Sequence, residues 1–428
     1  MKNIPFLPRT SPGLLAHIQQ ASPGWRFPIY AGTLFDGNHA TLRAAGTIPD
    51  APGWYQRTLR RWISAAFIEW RYFSVLTPAF HGIVGMALFN PAERFKQLAE
   101  GGLLVILAGM LDMPEQLAAQ SHTMRDWPQI CWMHLFPTDQ LTFEGPDAST
   151  VRAVGNGVQL VCEHLAVQQH RLLLRHERGL EVRLEHNGLD GTAIAPAYAE
   201  DVGYLPGTHW VVYNPSPIAR TSGAITMTPE FLAQIAGQSF PTIASPALAR
   251  LVARDTCCAR WDNGNGYYEH SFGLNPLPLH GWDFLFVPDA TQQQGVVLQT
   301  YQRSQTLRYL EALWHDGAEQ RYTRFSADQL HLVWEDTYVD PHIHVRLPRK
   351  RVIVARKPGL QLELENTILH QIPFLRPATL AVRHFFISEQ IGVTNWRLMD
   401  DAGKLLVEVR DQPSGGEIAH GRLWPSRT

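Results

Sequence analysis

A chain of 428 residues is longer than one hydrophobic core usually supports, so two domains are expected. Thirty-seven basic against 39 acidic side chains give a formal charge of -2 with no concentrated basic stripe, which excludes a phosphate-backbone binder. Four cysteines exclude a disulfide scaffold, and no apolar run reaches the ~20 residues that span a bilayer.

The N-terminus, Met1-Lys2-Asn3-Ile4-Pro5, has no apolar stretch with a small-residue cleavage pattern, which predicts a cytoplasmic protein. Residues 1–50 read as irregular, broken throughout by Pro, Gly and Ser. From Trp62 the character changes. Phe67 to Leu76 is aromatic and β-branched, Thr77-Pro78 supplies a turn, and Ile83 to Phe89 reads as the partner strand. Such a hairpin is expected to bury one face and expose the other. Ala92 to Met110 reads as a helix covering a barrel end, although its last half fits a strand equally well.

Leu180 to Glu185 alternates apolar and charged residues, and Asn187-Gly188 after it reads as a hairpin turn. The Pro/Gly-rich residues between Gly203 and Pro217 mark a boundary near 220, giving an N-terminal β domain of residues 1–220 and a C-terminal one of 221–428. A strand at Gly223 to Met227 and a helix at Pro229 to Ala236 follow. Arg349-Lys350-Arg351, the densest basic cluster, reads as a solvated turn between strands. Leu360 to Asn366 alternates again, as do residues 342–347, and period two sustained over such runs is a strand signal. The thirteen tryptophans, twelve tyrosines and nineteen phenylalanines would line a large apolar cavity or fill an aromatic core.

One segment concentrates chemistry: Trp261-Asp262-Asn263-Gly264-Asn265-Gly266-Tyr267-Tyr268-Glu269-His270-Ser271-Phe272-Gly273. In extended conformation Tyr267, Glu269 and Ser271 share one face, and Tyr268 and His270 the other. Beside aromatic rings Glu269 would lose hydration and hold a proton at neutral pH, as a general acid must. Tyr267 would orient the acid or face a cation, and His270 would orient the pair or take the proton back. The competing reading is a turn network that ties backbone groups together. Asp283, in Trp282-Asp283-Phe284, is a second carboxylate that either joins the site or pairs with His270 or an arginine. Glu69, between Phe67, Trp70 and Tyr72, either faces a cavity or pairs with Arg71 or Arg220. Trp261, Tyr268 and Trp282 supply further candidate substrate-binding rings.

His342 and His344 with His331 and Glu335 are the one metal-like grouping, and a solvated surface explains them as well, so no metal and no cofactor is expected. Phosphate-cradling loops and serine nucleophile elbows are absent from the sequence. The thiols of Cys131, Cys162, Cys257 and Cys258 read as buried.

Gly264-Asn265-Gly266-Tyr267-Tyr268-Glu269-His270-Ser271-Phe272-Gly273, followed by Gly281-Trp282-Asp283-Phe284, resembles the signature of a lipocalin-like double-barrel superfamily. Its members include carotenoid 1,2-hydratases (hydroxyneurosporene synthases), AttH-like proteins and Diels–Alderases, with tocopherol cyclases related in architecture. Glu69-Trp70-Arg71-Tyr72-Phe73 resembles the family's early Glu-Trp-Trp-Tyr-Phe strand. Pro217-Ile218-Ala219-Arg220 with Gly223 resembles the start of its second domain. The resemblance implies an all-β fold of two successive antiparallel lipocalin-like barrels or strongly curved sheets with few helices. In the hydratases the motif reads Gly-Tyr-Phe-Asp-Ser-Asn. Tyr267 matches its tyrosine and Glu269 its acid, lengthened by one methylene, while His270 is closer to the Asp-His pair of the AttH-like members.

The function implied is a hydratase or a cyclase/isomerase acting on a terpenoid or polyene-like substrate, by acid catalysis or by folding the substrate in an aromatic cavity. The alternative is a non-catalytic lipid or isoprenoid carrier. The partner is a hydrophobic small molecule, not nucleic acid; peripheral membrane contact and oligomeric state stay open.

Overall fold

The computed structural model describes residues 67–89, 101–113, 127–145, 149–166, 168–189, 197–199, 210–212, 214–236, 238, 243–274, 281–301, 308–317, 319–340, 346–375 and 386–420. The strands within them pair antiparallel and form two sheets.

The first sheet has fourteen strands. β1 (Phe67–Leu76), β2 (Phe80–Phe89), β3 (Gly102–Leu111) and β4 (Gln129–Pro137) form one meander. β5 (Leu141–Glu144), β6 (Thr150–Gly155), β7 (Val158–Ala166), β8 (Gln169–His176) and β9 (Leu180–Gly188) form another. The short β10 (Ala197–Ala199) and β11 (Trp210–Val212) precede β12 (Ser216–Met227). Helix α1 (Pro229–Ala236), β13 (Ile243–Ala244) and helix α2 (Pro246–Arg254) lead to the 18-residue β14 (Cys257–Leu274). The order β13-β4-β3-β2-β1-β14-β12-β9-β8-β7-β6-β5 makes β14 the bridge between the two halves. β4 and β6, far apart in that order, approach each other in space, so the sheet curls around its own interior.

The second sheet contains β15 (Trp282–Asp289), β16 (Gln294–Tyr301), β17 (Arg308–Asp316), β18 (Glu319–Phe325) and β19 (Leu330–Val339). It continues with β20 (Arg346–Lys357), β21 (Leu360–Leu375), β22 (Phe386–Met399) and β23 (Leu405–His420). Its order, β18-β17-β16-β15-β23-β22-β21-β20-β19, repeats the plan of the first: a four-strand meander joined through the last strand to the rest. β18 and β20 approach across it, so this sheet curls as well. The result is the all-β double-barrel arrangement expected from the sequence, with two short α-helices among the described residues.

Alternation along β1 sends Phe73 and Val75 into the interior of the first sheet, and Tyr72 and Leu76 outward against the second. Phe284, Phe286 and Ile391 meet them from the second sheet, while Leu285, Leu298 and Trp396 fill its own interior. Each such aliphatic or aromatic side chain, fully buried, contributes roughly 1.5–3 kcal/mol. The hairpin β1–β2 therefore has no solvated face: β2 is buried along almost its whole length, because the second sheet covers what the sequence assigned to water. Close packing there requires glycine. A Cβ on Gly82 would lie 2.2 Å from the Ala108 carbonyl oxygen and 2.5 Å from the Cα of Gly109, its partner across β2 and β3.

Other expectations change. Residues 102–110 of the anticipated helix lie in strand β3, and residues 92–100 lie outside the described residues. Asn187 and Gly188 are not a turn but the end of β9, paired with Arg220 and Ala219; the β8–β9 turn falls at Gly179, with φ 96°. Arg349 to Arg351 is strand within β20, where period two turns Arg351 inward and fully buries it. Arg220, at the expected boundary, lies inside β12, and the chain passes from one sheet to the other between Leu274 and Trp282. The four cysteines are free, and three of them are buried. Residues 1–50, 203–207 and His342 with His344 lie outside the described residues. Among the described residues there is no cluster of metal-ligating side chains, and no helix is long and apolar enough to cross a membrane.

Candidate active site

β14 divides its side chains between two environments. Tyr267, Glu269 and Ser271 point toward the second sheet, and Tyr268 and His270 point into the first sheet's interior. Neighbouring β1 does the same: Tyr72 lies opposite Glu269, and Trp70 opposite Ser271. The second sheet presents the matching arrangement, with Phe284 opposite Glu417 and Trp282 opposite Ala419. Glu417 on the last strand of its sheet is thus the topological counterpart of Glu269, and Glu389 lies directly across from it on β22. Three carboxyl groups and a layer of rings meet between the sheets.

Hydroxyl and indole groups hold these carboxyls in place. The Ser271 hydroxyl donates to Glu269 Oε1, and Glu269 Oε2 lies 3.2 Å from the Tyr267 hydroxyl. The Tyr72 hydroxyl donates across the sheets to Glu389 Oε1 at 2.6 Å, and Trp282 Nε1 donates to Glu417 Oε1 at 2.5 Å. Tyr267 stacks on Phe286 with centroids 4.7 Å apart, and Tyr72 meets Phe286 edge-on at 5.8 Å. Glu389 and Glu417 are 1% and 6% exposed, whereas Glu269 as a residue is only partly covered. Trp70, Leu104, Met133, Trp282 and Leu369 in the same apolar cluster are also only partly covered.

Burial pushes Glu269 up to about 7, against the opposing pull of the hydrogen bond from the Ser271 hydroxyl. Burial, reinforced by the charge of Glu269, pushes Glu417 up to about 8. Glu389 is driven well above the carboxylate range by burial and then by Glu417. Folded Glu417 keeps its proton to about pH 8, whereas an unfolded chain releases it near 4.5, so stability present at low pH is lost as pH rises toward 8. Buried His81 and His186 act in the opposite sense below pH 6.5: burial lowers them to about 4 and about 3, and stability falls as pH drops. The window from pH 6.5 to 8 therefore isolates the carboxyls. Thermal melts across it are expected to show falling stability, roughly 1.4 kcal/mol per pH unit for each carboxyl still protonated, with a shallower fall in Glu417→Gln. A wild-type Tm constant across that window would contradict this account.

The remaining sequence candidates lie elsewhere. His270 Nε2 is 2.8 Å from Glu69 Oε1 inside the first sheet, so the strand backbone separates it from the Glu269 carboxyl. Glu69 pairs there with Arg71, whose Nη1 donates to the Tyr268 hydroxyl at 2.5 Å. Tyr268 stacks on Phe73, and Trp261 packs in the same core against Phe80. Asp283 turns into the second sheet's interior and pairs with Arg351, while its neighbours Trp282 and Phe284 face the first sheet. Tyr267, Glu269, Trp70, Tyr72 and Trp282 are thus brought together; Glu69, Tyr268, His270, Trp261 and Asp283 are not. Glu389 and Glu417 escaped the sequence reading. Neither stands among aromatic residues as Glu269 does, so no local signal marked them.

No protein-family model matches the chain, and no curated protein matches it. Among solved structures it is similar to CghA, with a TM-score of 0.50 and 12% identity over 84% of this chain and 89% of that one. It is also similar to a protein described as an AttH from Nitrosomonas europaea, with a TM-score of 0.46 and 12% identity over 82% and 92% of the two chains. A third similarity is to kievitone hydratase from Nectria haematococca, with a TM-score of 0.41 and 10% identity over 84% and 90%. The chain has the fold of CghA, which is the double-barrel fold that the sequence resemblance implied.

Proposed function

We propose, from the sequence resemblance to the double-barrel hydratases and cyclases and from the carboxyl group between the two sheets, that this chain is an enzyme of hydratase or cyclase type. Its substrate would be apolar, terpenoid or polyene-like, and would carry a double bond or carbonyl. The observation that carries this reading is Glu269: a carboxyl on a partly covered residue that holds its proton near neutrality, beside Tyr267, Trp70 and Trp282. Transfer of that proton to a double bond leaves a cation on the substrate, which the ring faces stabilise and from which they exclude bulk water. Capture by a water molecule gives hydration and returns a proton to Glu269. Capture by a second double bond or an internal hydroxyl, followed by proton loss to Glu269, gives cyclisation.

A carrier would be expected to neutralise Glu269 with an arginine or backbone groups. Its partners are instead two hydroxyls, those of Ser271 and Tyr267, which favours the acid. Purified protein and Glu269→Gln, each incubated with a cellular lipid extract and followed by mass spectrometry, test the reading. Wild type is expected to convert a retained species, with the gain of one water or with unchanged mass, and the variant to retain it unconverted. Conversion by both would remove Glu269 from the chemistry, and retention without conversion by either would favour a carrier.

A further inference from the structure

A continuous hydrogen-bonded chain leads from Glu269 toward the outside of the second sheet. The Tyr267 hydroxyl, 3.2 Å from Glu269 Oε2, lies only 2.6 Å from Asn214 Oδ1. Asn214 Nδ2 reaches Glu311 Oε2 at 3.5 Å. On its other oxygen Glu311 accepts from the Tyr322 hydroxyl at 2.7 Å and from Arg324 Nε at 2.8 Å and Nη2 at 2.5 Å. Asn214 is 3% exposed and Tyr267 and Glu311 are fully buried, whereas Tyr322 is 48% exposed and the Arg324 side chain 35%. Asn214 sits just before β12 and Glu311 on β17, so the chain ties the two sheets together at this point.

Counting protons fixes the direction of each link. The two N–H groups of Arg324 converge on Glu311 and keep it an acceptor, although burial works against its charge. Asn214 must then turn its amide N–H toward Glu311 and its carbonyl oxygen toward Tyr267. The Tyr267 hydroxyl has a single proton, and the shorter contact, to Asn214, takes it. The contact between Tyr267 and Glu269 still needs a proton, and only the carboxyl is placed to give it.

We propose that Asn214, oriented by Glu311 and Arg324, is a positioning residue that turns the Tyr267 hydroxyl away from Glu269, so that the carboxyl supplies the proton of their hydrogen bond. This deepens the reading of Glu269 as the acid and rests on it. The same chain has a reversed form. If Glu311 takes a proton, the Asn214 amide turns over, Tyr267 donates to Glu269, and Glu269 is left ionised. Arg324 therefore decides from the far end which of the two glutamates carries the proton. Glu269 is also faced by Ser271 on its own strand, Tyr72 on β1, Tyr309 on β17 and Glu417 on β23, with Glu389 of β22 behind Tyr72. Those groups are common to the Asn214 variants below and cancel between them, whereas Arg324→Met also removes the guanidinium 4.7 Å from the Tyr309 ring.

The test is a carbon-13 NMR titration of protein labelled at the glutamate carboxyls, with the Glu269 resonance identified by its loss in Glu269→Gln. In Asn214→Ala the Tyr267 hydroxyl is free to donate to Glu269. The midpoint is expected to fall by about one pH unit, a tenfold change in the ionisation constant. Arg324→Met, altered at the half-exposed end, is expected to lower it in the same direction. Asn214→Asp, carrying its proton toward Glu311, preserves the acceptor for Tyr267 and is expected to keep the wild-type midpoint. An unchanged midpoint in both Asn214→Ala and Arg324→Met, or an equal fall in Asn214→Asp and Asn214→Ala, would overturn the proposal. The titration reads the carboxyl directly, so its outcome is separate from whether the wild type converts a substrate.

Discussion

Replacing Glu269 with glutamine is expected to lower kcat/KM by ~10²–10⁴-fold on the substrate that the lipid screen identifies, the range that general acid catalysis supplies. Glutamine keeps the shape and accepts from Ser271 as before, so binding is expected to change little. The loss should therefore fall on kcat. The pH profile gives a second readout. Burial raises Glu269 to about 7, so the acid form is present below that pH and disappears above it, and wild-type kcat/KM is expected to decline as pH rises through 7. Glu269→Gln should show neither the rate nor the decline. A variant that retains the rate would shift the burden to proximity, with the rings folding the substrate and no proton transferred. An intact rate with a lost pH dependence would mean that another group had set the profile, and Glu417 is the nearest in character.

Period two made the faces of β14 legible. Tyr267, Glu269 and Ser271 share a face, as the sequence reading has it; Trp70 and Tyr72 share one as well, though that reading grouped them with Glu69 instead. It could not show which face meets the second sheet, since both are apolar wherever a strand is covered on both sides. Hence Tyr268, His270 and Glu69 looked as eligible as Glu269, although they lie in the first sheet's interior. Register was equally hidden: the pairing of Tyr72 with Glu269 joins residues 197 positions apart by β1–β14 ladder geometry, which nothing local encodes. Glu389 and Glu417 stand in Ser388-Glu389-Gln390 and Gly416-Glu417-Ile418, without aromatic flanks, and only the β22–β23 ladder makes them a pair. Arg349-Lys350-Arg351 misled because charge in a short run suggests water: Arg349 is exposed as expected, but Arg351 is buried against Asp283.

The common plan of the two sheets explains why carboxyls collect between them. Each sheet places its last strand beside its first, and on that strand, opposite an aromatic residue, stands a glutamate. Burial acts on both, but their surroundings differ. Among the described residues Glu269 has two hydroxyl partners and is only partly covered, whereas Glu417 has one indole and lies covered beside Glu389. The first is suited to exchange a proton with a ligand, and the second to hold one.

Arg351→Met is expected to destabilise the fold by about 3–5 kcal/mol, the cost of leaving a buried charge without its partner. Arg351 is fully buried in the second sheet. Its Nε donates to Asp283 at 3.1 Å and its Nη1 to Asn366 at 2.7 Å, and Nη2 reaches both Asp283 and Gln390. Without it Asp283 retains the Trp334 indole at 2.7 Å as a donor, too little for a carboxylate so enclosed. Urea unfolding at pH 7 measures the effect, and a loss below ~1 kcal/mol would mean that water replaces the guanidinium. Arg351→Met with Asp283→Leu should recover much of the loss, since removing both charges leaves neither one unpaired. The pair also decides what Asp283 is for. Trp282 and Phe284 on either side of it face the acid cluster, so Asp283 fixes their strand from behind. Asp283→Asn is accordingly expected to lower stability while leaving kcat of the folded protein within about twofold of wild type, and a kcat loss comparable to that of Glu269→Gln would instead make Asp283 part of the chemistry.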